Sequence, residues 1–193
     1  MANNRRDQAP RSCPKRGPSN KKKGLIIVYT GDGKGKSTAA FGAAFRALGH
    51  GMKVAVIQFL KGKWKTGEAE IAEKFSGEFS FYCFGDGFTW ESKDFDQDVK
   101  TAEKAWEKCC QILHDDIHEV VVFDEINYAM HYHFLPVSKV VQALKKKPPM
   151  KHVILTGDKA PAEIIGIADL VTEMKCLKHH FRDGVSAQKG IEF

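Results

Sequence analysis

The sequence predicts an α/β protein with an open, mostly parallel sheet of about six strands and helices on both faces. Two observations carry that prediction. Short apolar, β-branched runs alternate with helix-length amphipathic stretches along the chain, joined by brief connections, as parallel strands with right-handed crossovers require. The first of these runs, residues 25–29, enters the glycine-rich turn Gly31-Asp32-Gly33-Lys34-Gly35-Lys36-Ser37 and emerges as alanine-rich helical sequence. Strand, glycine loop and helix in that order make a phosphate-binding P-loop, so the predicted sheet is P-loop NTPase-like.

The remaining elements follow in order. The helix that opens with Thr38-Ala39-Ala40-Phe41-Gly42 should stop near Gly49-His50-Gly51. Residues 54–59 read as a second buried strand, 68–75 as a short helix and 79–83 as a third strand. A long amphipathic helix from 94 to about 114 carries Val99, Ala102, Trp106, Cys109 or Cys110 and Leu113 near helical spacing. Residues 120–123 form an unbroken apolar run, as expected of a parallel strand covered on both faces. A helix over 136–146 ends at Pro148-Pro149, a fifth strand spans 153–156, a helix 160–168 and a sixth strand 170–172.

Composition narrows the function classes. A chain of 193 residues is long enough for one domain with a proper core. The net charge of +6 invites a nucleic-acid reading, but residues 1–23 alone hold eight basic groups against Asp7, a net of +7. Residues 24–193 therefore sum to about −1, and the domain itself is not basic. The segment 1–23 has three prolines and one glycine, no aromatics and no periodicity, and reads as a flexible basic tail preceding a domain over 24–193. No apolar segment follows the N-terminal charges as a secretory signal would, and no apolar run approaches a membrane span. Five cysteines without a C-x-x-C pair read as reduced thiols, which together with the missing signal places the protein in the cytoplasm.

The chemistry concentrates in two motifs. In the loop, glycines let backbone N–H groups converge on phosphate oxygens, and the following helix adds the positive end of its dipole. Lys36 supplies a cation for the outer phosphates and Ser37 a hydroxyl suited to Mg²⁺. The usual spacing asks for glycine where Thr30 stands, with the glycine displaced to Gly31, so the loop is off-pattern. The second motif is the apolar strand ending in Asp124-Glu125, a Walker B expected beside the first strand, with either acid a candidate metal ligand. Ligands of a parallel sheet bind beyond the strand C-terminal ends. Loops 31–37, 60–67, 84–93, 124–135 and 156–160 should meet there, bringing Lys36, Lys61, Lys63, Lys65 and Lys159 together with Trp64, Phe88 and Trp90. A polyphosphate explains the cations, but not the aromatics. His131, His133, His179 and His180 lack partners at zinc-ligand spacing, and no protein nucleophile stands out.

Several stretches resemble the ATP:corrinoid adenosyltransferases of the CobA/BtuR type. They are residues 31–42, Arg46-Ala47-Leu48-Gly49-His50-Gly51, Gln58-Phe59-Leu60-Lys61-Gly62, Gly87-Phe88-Thr89-Trp90, Asp124-Glu125-Ile126-Asn127-Tyr128, residues 168–174 and the ending Gln188-Lys189-Gly190-Ile191-Glu192-Phe193. The off-pattern loop is the form this family resembles. The resemblance implies attack of a Co(I) corrinoid such as cobalamin on the 5′ carbon of ATP, releasing triphosphate. Gly31, Asp32, Gly33, Lys34, Gly35, Lys36, Ser37, Thr38, Arg46 and Lys61 would then hold the nucleotide, and Ser37 and Glu125 the Mg²⁺, with Asp124 the alternative. Phe88 and Trp90 would occupy the lower face of the corrinoid. The resemblance also implies a homodimer and a flavoprotein or similar reductant for Co(II). The family's Thr-Gly-Arg after the fifth strand is here Thr156-Gly157-Asp158, leaving Lys159 as the candidate substitute for the arginine.

Two other readings compete. A nucleoside or small-molecule kinase would need a base for an acceptor hydroxyl, and none is visible in the sequence. A nucleic-acid-binding ATPase module would rest on the basic tail alone, so nucleic acid is not the expected partner.

Overall fold

The computed structural model describes residues 22–59, 66–75, 77–85 and 95–192. Six five- or four-residue strands form one sheet: β1 (Ile26–Thr30), β2 (Val54–Gln58), β3 (Phe79–Cys83), β4 (Val120–Asp124), β5 (His152–Thr156) and β6 (Leu170–Glu173). The helices are α1 (Lys36–Leu48), α2 (Gly67–Lys74), α3 (Phe95–Leu113), α4 (Ile126–His131), α5 (Val137–Lys145) and α6 (Ala162–Ile167), with a 3-10 turn at His180–Asp183. Spatial order is β3-β2-β4-β5-β1-β6, and every pairing is parallel.

Period-two alternation sorts the residues of β1 to β5 between two cores, while β6 is exposed throughout. Val54, Val56, Val120, Val122 and Ile154 face α1, packing with Ala40, Phe41, Ala44 and Ala47. Ala55, Ile57, Val121, Phe123, Val153 and Leu155 face the other way, toward Ala102, Trp106, Cys109 and Leu113 of α3 and Val140 and Leu144 of α5. Cys109, not Cys110, takes the buried position on α3. Runs that are apolar at every residue are thus strands with a helix layer on each face.

Two sequence expectations change. Residues 124–135 contain α4, which a loop reading missed because its six residues are too few to show helical periodicity. The strand ending in Asp124-Glu125 does not lie beside β1, because β5 pairs with both and stands between them. At about 4.8 Å per strand spacing, the carboxylate pair starts roughly 10 Å from the first strand. Lys23, the last residue of the segment read as a tail, forms an ion pair with Asp169, whose other oxygen accepts from the Ile26 N–H at 3.0 Å.

The end of the sheet away from the glycine loop is pinned by a buried polar cluster. Lys151 donates to the carbonyls of Ile112 (2.7 Å) and Asp115 (2.6 Å) and to Asp115 Oδ1 (2.9 Å). His118 lies between Asp115 Oδ2 (2.6 Å) and Ser80 Oγ (3.0 Å). No Ser-His-Asp order stood out in the sequence; these three meet at the strand N-terminal ends, where they close the α3–β4 turn. Burial works against ionisation of Asp115, but bonds from the His118 backbone and ring and from Lys151 outweigh it and hold the carboxyl at about 2. Its folded pKa lies below the unfolded one near 3.8, so the pairing stabilises the protein above about pH 4 and is lost as pH falls toward 2. Urea midpoints of wild type and Asp115→Asn should differ by about 1–2 kcal/mol at pH 5, allowing for partial solvent screening, and converge near pH 2. A gap that persists at pH 2 would mean that packing, not charge, is what the variant loses.

Candidate active site

The glycine loop joins β1 to α1 at the C-terminal edge of the sheet. Thr30, in place of the usual glycine, is the last residue of β1, and its hydroxyl accepts from the Ala160 N–H at 3.0 Å. A strand residue that ties down the β5–α6 connection explains why glycine is displaced by one position.

Gly31 and Gly33 are required by their neighbours as much as by any ligand. A Cβ on Gly31 (φ +100°) would sit 2.3 Å from the Met174 carbonyl oxygen, and one on Gly33 would sit 2.7 Å from the Lys175 carbonyl carbon. The chain leaving β6 therefore lies directly against the loop. Gly33 N–H donates to Met174 O (2.8 Å), and Cys176 N–H donates to Asp32 Oδ1 (3.0 Å). Gly35 stands left-handed (φ +105°) just before α1, and the nearest atom to a Cβ there would be Met174 Sδ at 4.0 Å, so the second half of the loop is less tightly packed than the first.

Lys36 begins α1, and its ammonium donates to the carbonyls of Gly31 (2.8 Å) and Gly33 (2.7 Å), folding the cation over its own loop. Lys34 pairs with Glu192 at 2.9 Å. Ser37 is half-buried and Thr38 exposed on the first turn. Arg46 is not brought to the loop: it lies on the last turn of α1, ten residues and about 15 Å along the axis from Lys36, and is exposed.

The two acids at the end of β4 have different surroundings. Asp124 is 0 % exposed; its Oδ2 accepts from Gln58 Nε2 and its Oδ1 from Thr156 Oγ1, both at 2.7 Å. Thr156 Oγ1 also accepts from the Glu125 N–H at 2.9 Å, at a residue held left-handed (φ 64°) where α4 begins. Glu125 leans toward the end of β5, because a Cβ on Gly157 (φ +118°) would come within 3.3 Å of Glu125 Oε2. Glycine at 157 thus clears a path by which Glu125 crosses part of the gap that β5 opens between β4 and β1. Gln58, Thr156 and buried Asn127, whose Nδ2 donates to Gly157 O at 2.8 Å, complete this support.

Lys159, left-handed and exposed, faces His131 at 3.3 Å. Together with Thr30, Gly31, Asp158, Val171 and Glu173 it lines a cleft of about 370 Å³ beside the loop. Burial first, then the charges of Glu125 and Asp158, push the Tyr128 hydroxyl up to about 12, so it is a neutral phenol beside two carboxylates. Lys61, Phe88 and Trp90, with Lys63, Trp64 and Lys65, lie outside the described residues. Among the described residues no cluster of three or more histidines, cysteines or acids has metal-binding geometry, and no helix is long and apolar enough to cross a membrane.

A parallel sheet whose first strand passes through a glycine loop into a helix, with an acidic pair at the end of another strand, defines the P-loop class of α/β proteins. Within that class the chain belongs to one family: residues 22–193 match the family described as ATP:corrinoid adenosyltransferase BtuR/CobO/CobP. A corrinoid adenosyltransferase of Sinorhizobium sp is 54% identical over 173 residues, covering 89% of this chain and 81% of that protein. Corrinoid adenosyltransferases of Pseudomonas aeruginosa (46%) and Escherichia coli K12 (43%) each align over 171 residues, spanning 89% of this chain and 84% and 86% of theirs.

Proposed function

We propose that the protein transfers the 5′-deoxyadenosyl group of ATP to the Co(I) centre of a corrinoid, with triphosphate as leaving group. The observation that carries this reading is the glycine loop between β1 and α1, less crowded at Gly35 than at Gly31 and Gly33 and capped by Lys36, in a chain of this family. The electron pair of the corrinoid's Co(I) forms the cobalt–carbon bond as the bond from C5′ to the triphosphate oxygen breaks. The nucleophile belongs to the substrate, and no protein base is required.

The protein's part is to hold C5′ exposed and to stabilise charge on the departing triphosphate. Backbone N–H groups of the second half of the loop and the N-terminus of α1 donate to phosphate oxygens, and Lys36, held on two loop carbonyls, has its third N–H left to meet the developing charge. The donor set fits Mg²⁺: the Ser37 hydroxyl and the Glu125 carboxylate are hard oxygen ligands, and Gly157 keeps the carboxylate's surroundings clear. Mg²⁺, when bound, neutralises phosphate charge. Asp124, enclosed by Gln58 and Thr156, is assigned the support of Glu125 in preference to metal binding.

Phe88 and Trp90 are proposed to hold the lower face of the corrinoid without an axial base, which eases reduction of Co(II) to Co(I). In Phe88→Ala and Trp90→Ala, activity starting from Co(II) plus reductant should fall steeply, and activity from preformed Co(I) far less. Parallel losses in both assays with a lowered melting temperature would return the pair to packing. The basic reading is tested by mixing ATP with chemically reduced cobalamin. A light-sensitive alkylcobalt product and stoichiometric tripolyphosphate are expected; release of ADP and a phosphorylated acceptor would favour a kinase. A homodimer is supported by β6 as an edge strand and by exposed Leu177 (92%), Ile191 (81%) and Phe181 (71%) near it in sequence. A cytoplasmic location and a flavoprotein or similar reductant complete the proposal.

A further inference from the structure

Among the described residues three polar contacts join the chain beyond β6 to the glycine loop, and they differ in kind. Two use groups that a phosphate does not displace: the Met174 carbonyl on the Gly33 N–H and the Cys176 N–H on Asp32. The third is the ion pair of Lys34 with Glu192, 2.9 Å apart, and Lys34 is a cation on the loop that receives the phosphates.

We propose that Glu192 and the phosphates of the nucleotide compete for Lys34, so that nucleotide binding releases residues 188–192 from the loop. The inference rests on the loop being the phosphate site. The Lys34 side chain is half-exposed, so its pairing is weak and easily exchanged. A metal-bound triphosphate carries more negative charge than one carboxylate and lies within the same loop. Glu192 does not follow Lys34, because its other oxygen faces His180 Nε2 at 2.8 Å, with the Glu192 side chain 12% and the His180 side chain 35% exposed. Lys34 first, then His180 and His179, hold the Glu192 carboxyl below its ordinary value, consistent with a carboxylate ready to pair with either neighbour. Residues 188–192 are otherwise held locally by a turn in which the N–H groups of Ile191 and Glu192 donate to Gln188 O at 3.1 and 3.0 Å. When Lys34 turns to the nucleotide, the tether of this turn to the loop is lost. By reciprocity, whatever strengthens the Lys34–Glu192 pair must weaken the nucleotide.

The experiment is a titration of the full-length protein with Mg–ATP, at low and high KCl, for wild type, Glu192→Gln, Lys34→Met, the double variant and Lys36→Ala. Glu192→Gln should tighten Mg–ATP about two- to five-fold at low salt, the scale of a half-exposed ion pair, with the gain shrinking at high salt. That gain should vanish in the Lys34→Met background. An equal gain in that background would make it a general field effect and overturn the competition, as would no gain in either. In wild type, ¹⁵N relaxation order parameters of residues 188–192 should fall on addition of Mg–ATP; unchanged or higher values overturn the release without relying on any variant. Steady-state kinetics of Glu192→Gln should show lowered KM for ATP with kcat nearly unchanged. Loss of binding in Lys36→Ala keeps the phosphate site intact if the competition fails, whereas binding indifferent to Lys36 removes the site itself.

Discussion

Lys36→Ala is expected to cut turnover at saturating ATP by about 10²–10³-fold, the loss of roughly 3–4 kcal/mol of transition-state stabilisation from one preorganised charge contact. The magnitude follows from what Lys36 does before and after binding. Its ammonium rests on two carbonyls of its own loop, 2.8 and 2.7 Å away, so it is already held at the cradle and needs little reorganisation to meet a phosphate. In the reaction the bridging oxygen of the triphosphate gains charge as the bond to C5′ breaks, and a cation fixed beside it stabilises that state more than the ground state. Folding should suffer less. The two bonds Lys36 makes are only part-buried, and Gly31 and Gly33 stay in place against residues 174–175. Tripolyphosphate release and a melting curve on one preparation check both halves. Near-wild-type turnover at saturating ATP would show that the loop does not hold the triphosphate.

What was legible in the sequence was what local chemistry dictates. The unbroken apolar run of 120–123 announced a strand covered on both faces, and glycines between a strand and a helix announced the loop. Strand order was not legible, because nothing local to residues 120–125 says that β5 will insert between β4 and β1. The consequence for the site is concrete: the acidic pair must reach past β5, and Gly157 makes room for it. In the sequence Gly157 is only the residue before Asp158, which stands where the family has arginine. Thr30, a departure from the loop pattern by sequence, proves to be a hydroxyl that secures Ala160. Arg46, carried over by resemblance, falls a helix length from the loop. Gln58 gave a faint signal, being the polar residue closing the otherwise apolar strand 54–57, and it sits on Asp124. The approach of residues 174–176 and Glu192 to the loop carries no signal within either stretch; contacts between residues some 140–160 positions apart appear only when the sheet is assembled.

The same assembled contacts separate the two acids of β4, which spacing could not. Asp124→Ala should destabilise the fold by about 3–5 kcal/mol, whereas Glu125→Gln should leave folding nearly unchanged and raise the Mg²⁺ concentration needed for activity. The first magnitude comes from two hydrogen bonds to a charged acceptor, each worth about 1.5–3 kcal/mol, whose donors Gln58 Nε2 and Thr156 Oγ1 would be left buried without Asp124. Thr156 also fixes the Glu125 N–H, so loss of Asp124 loosens the left-handed turn that presents Glu125. Asp124→Ala should therefore show both lowered stability and poorer Mg²⁺ use. Glu125→Gln keeps side-chain length and the same backbone bond to Thr156, and removes only the charge a divalent ion requires. Thr156→Val provides the bridge between them: it breaks the bond to Asp124 and the bond from Glu125 together, and Thr156→Ser should restore both. Urea midpoints and activity titrated with Mg²⁺ on these four variants and Asp124→Asn give the pattern. Should Glu125→Gln leave the Mg²⁺ requirement where it was while Asp124→Asn, with an amide of the same shape, raises it steeply, the metal belongs to Asp124 and the support to Glu125.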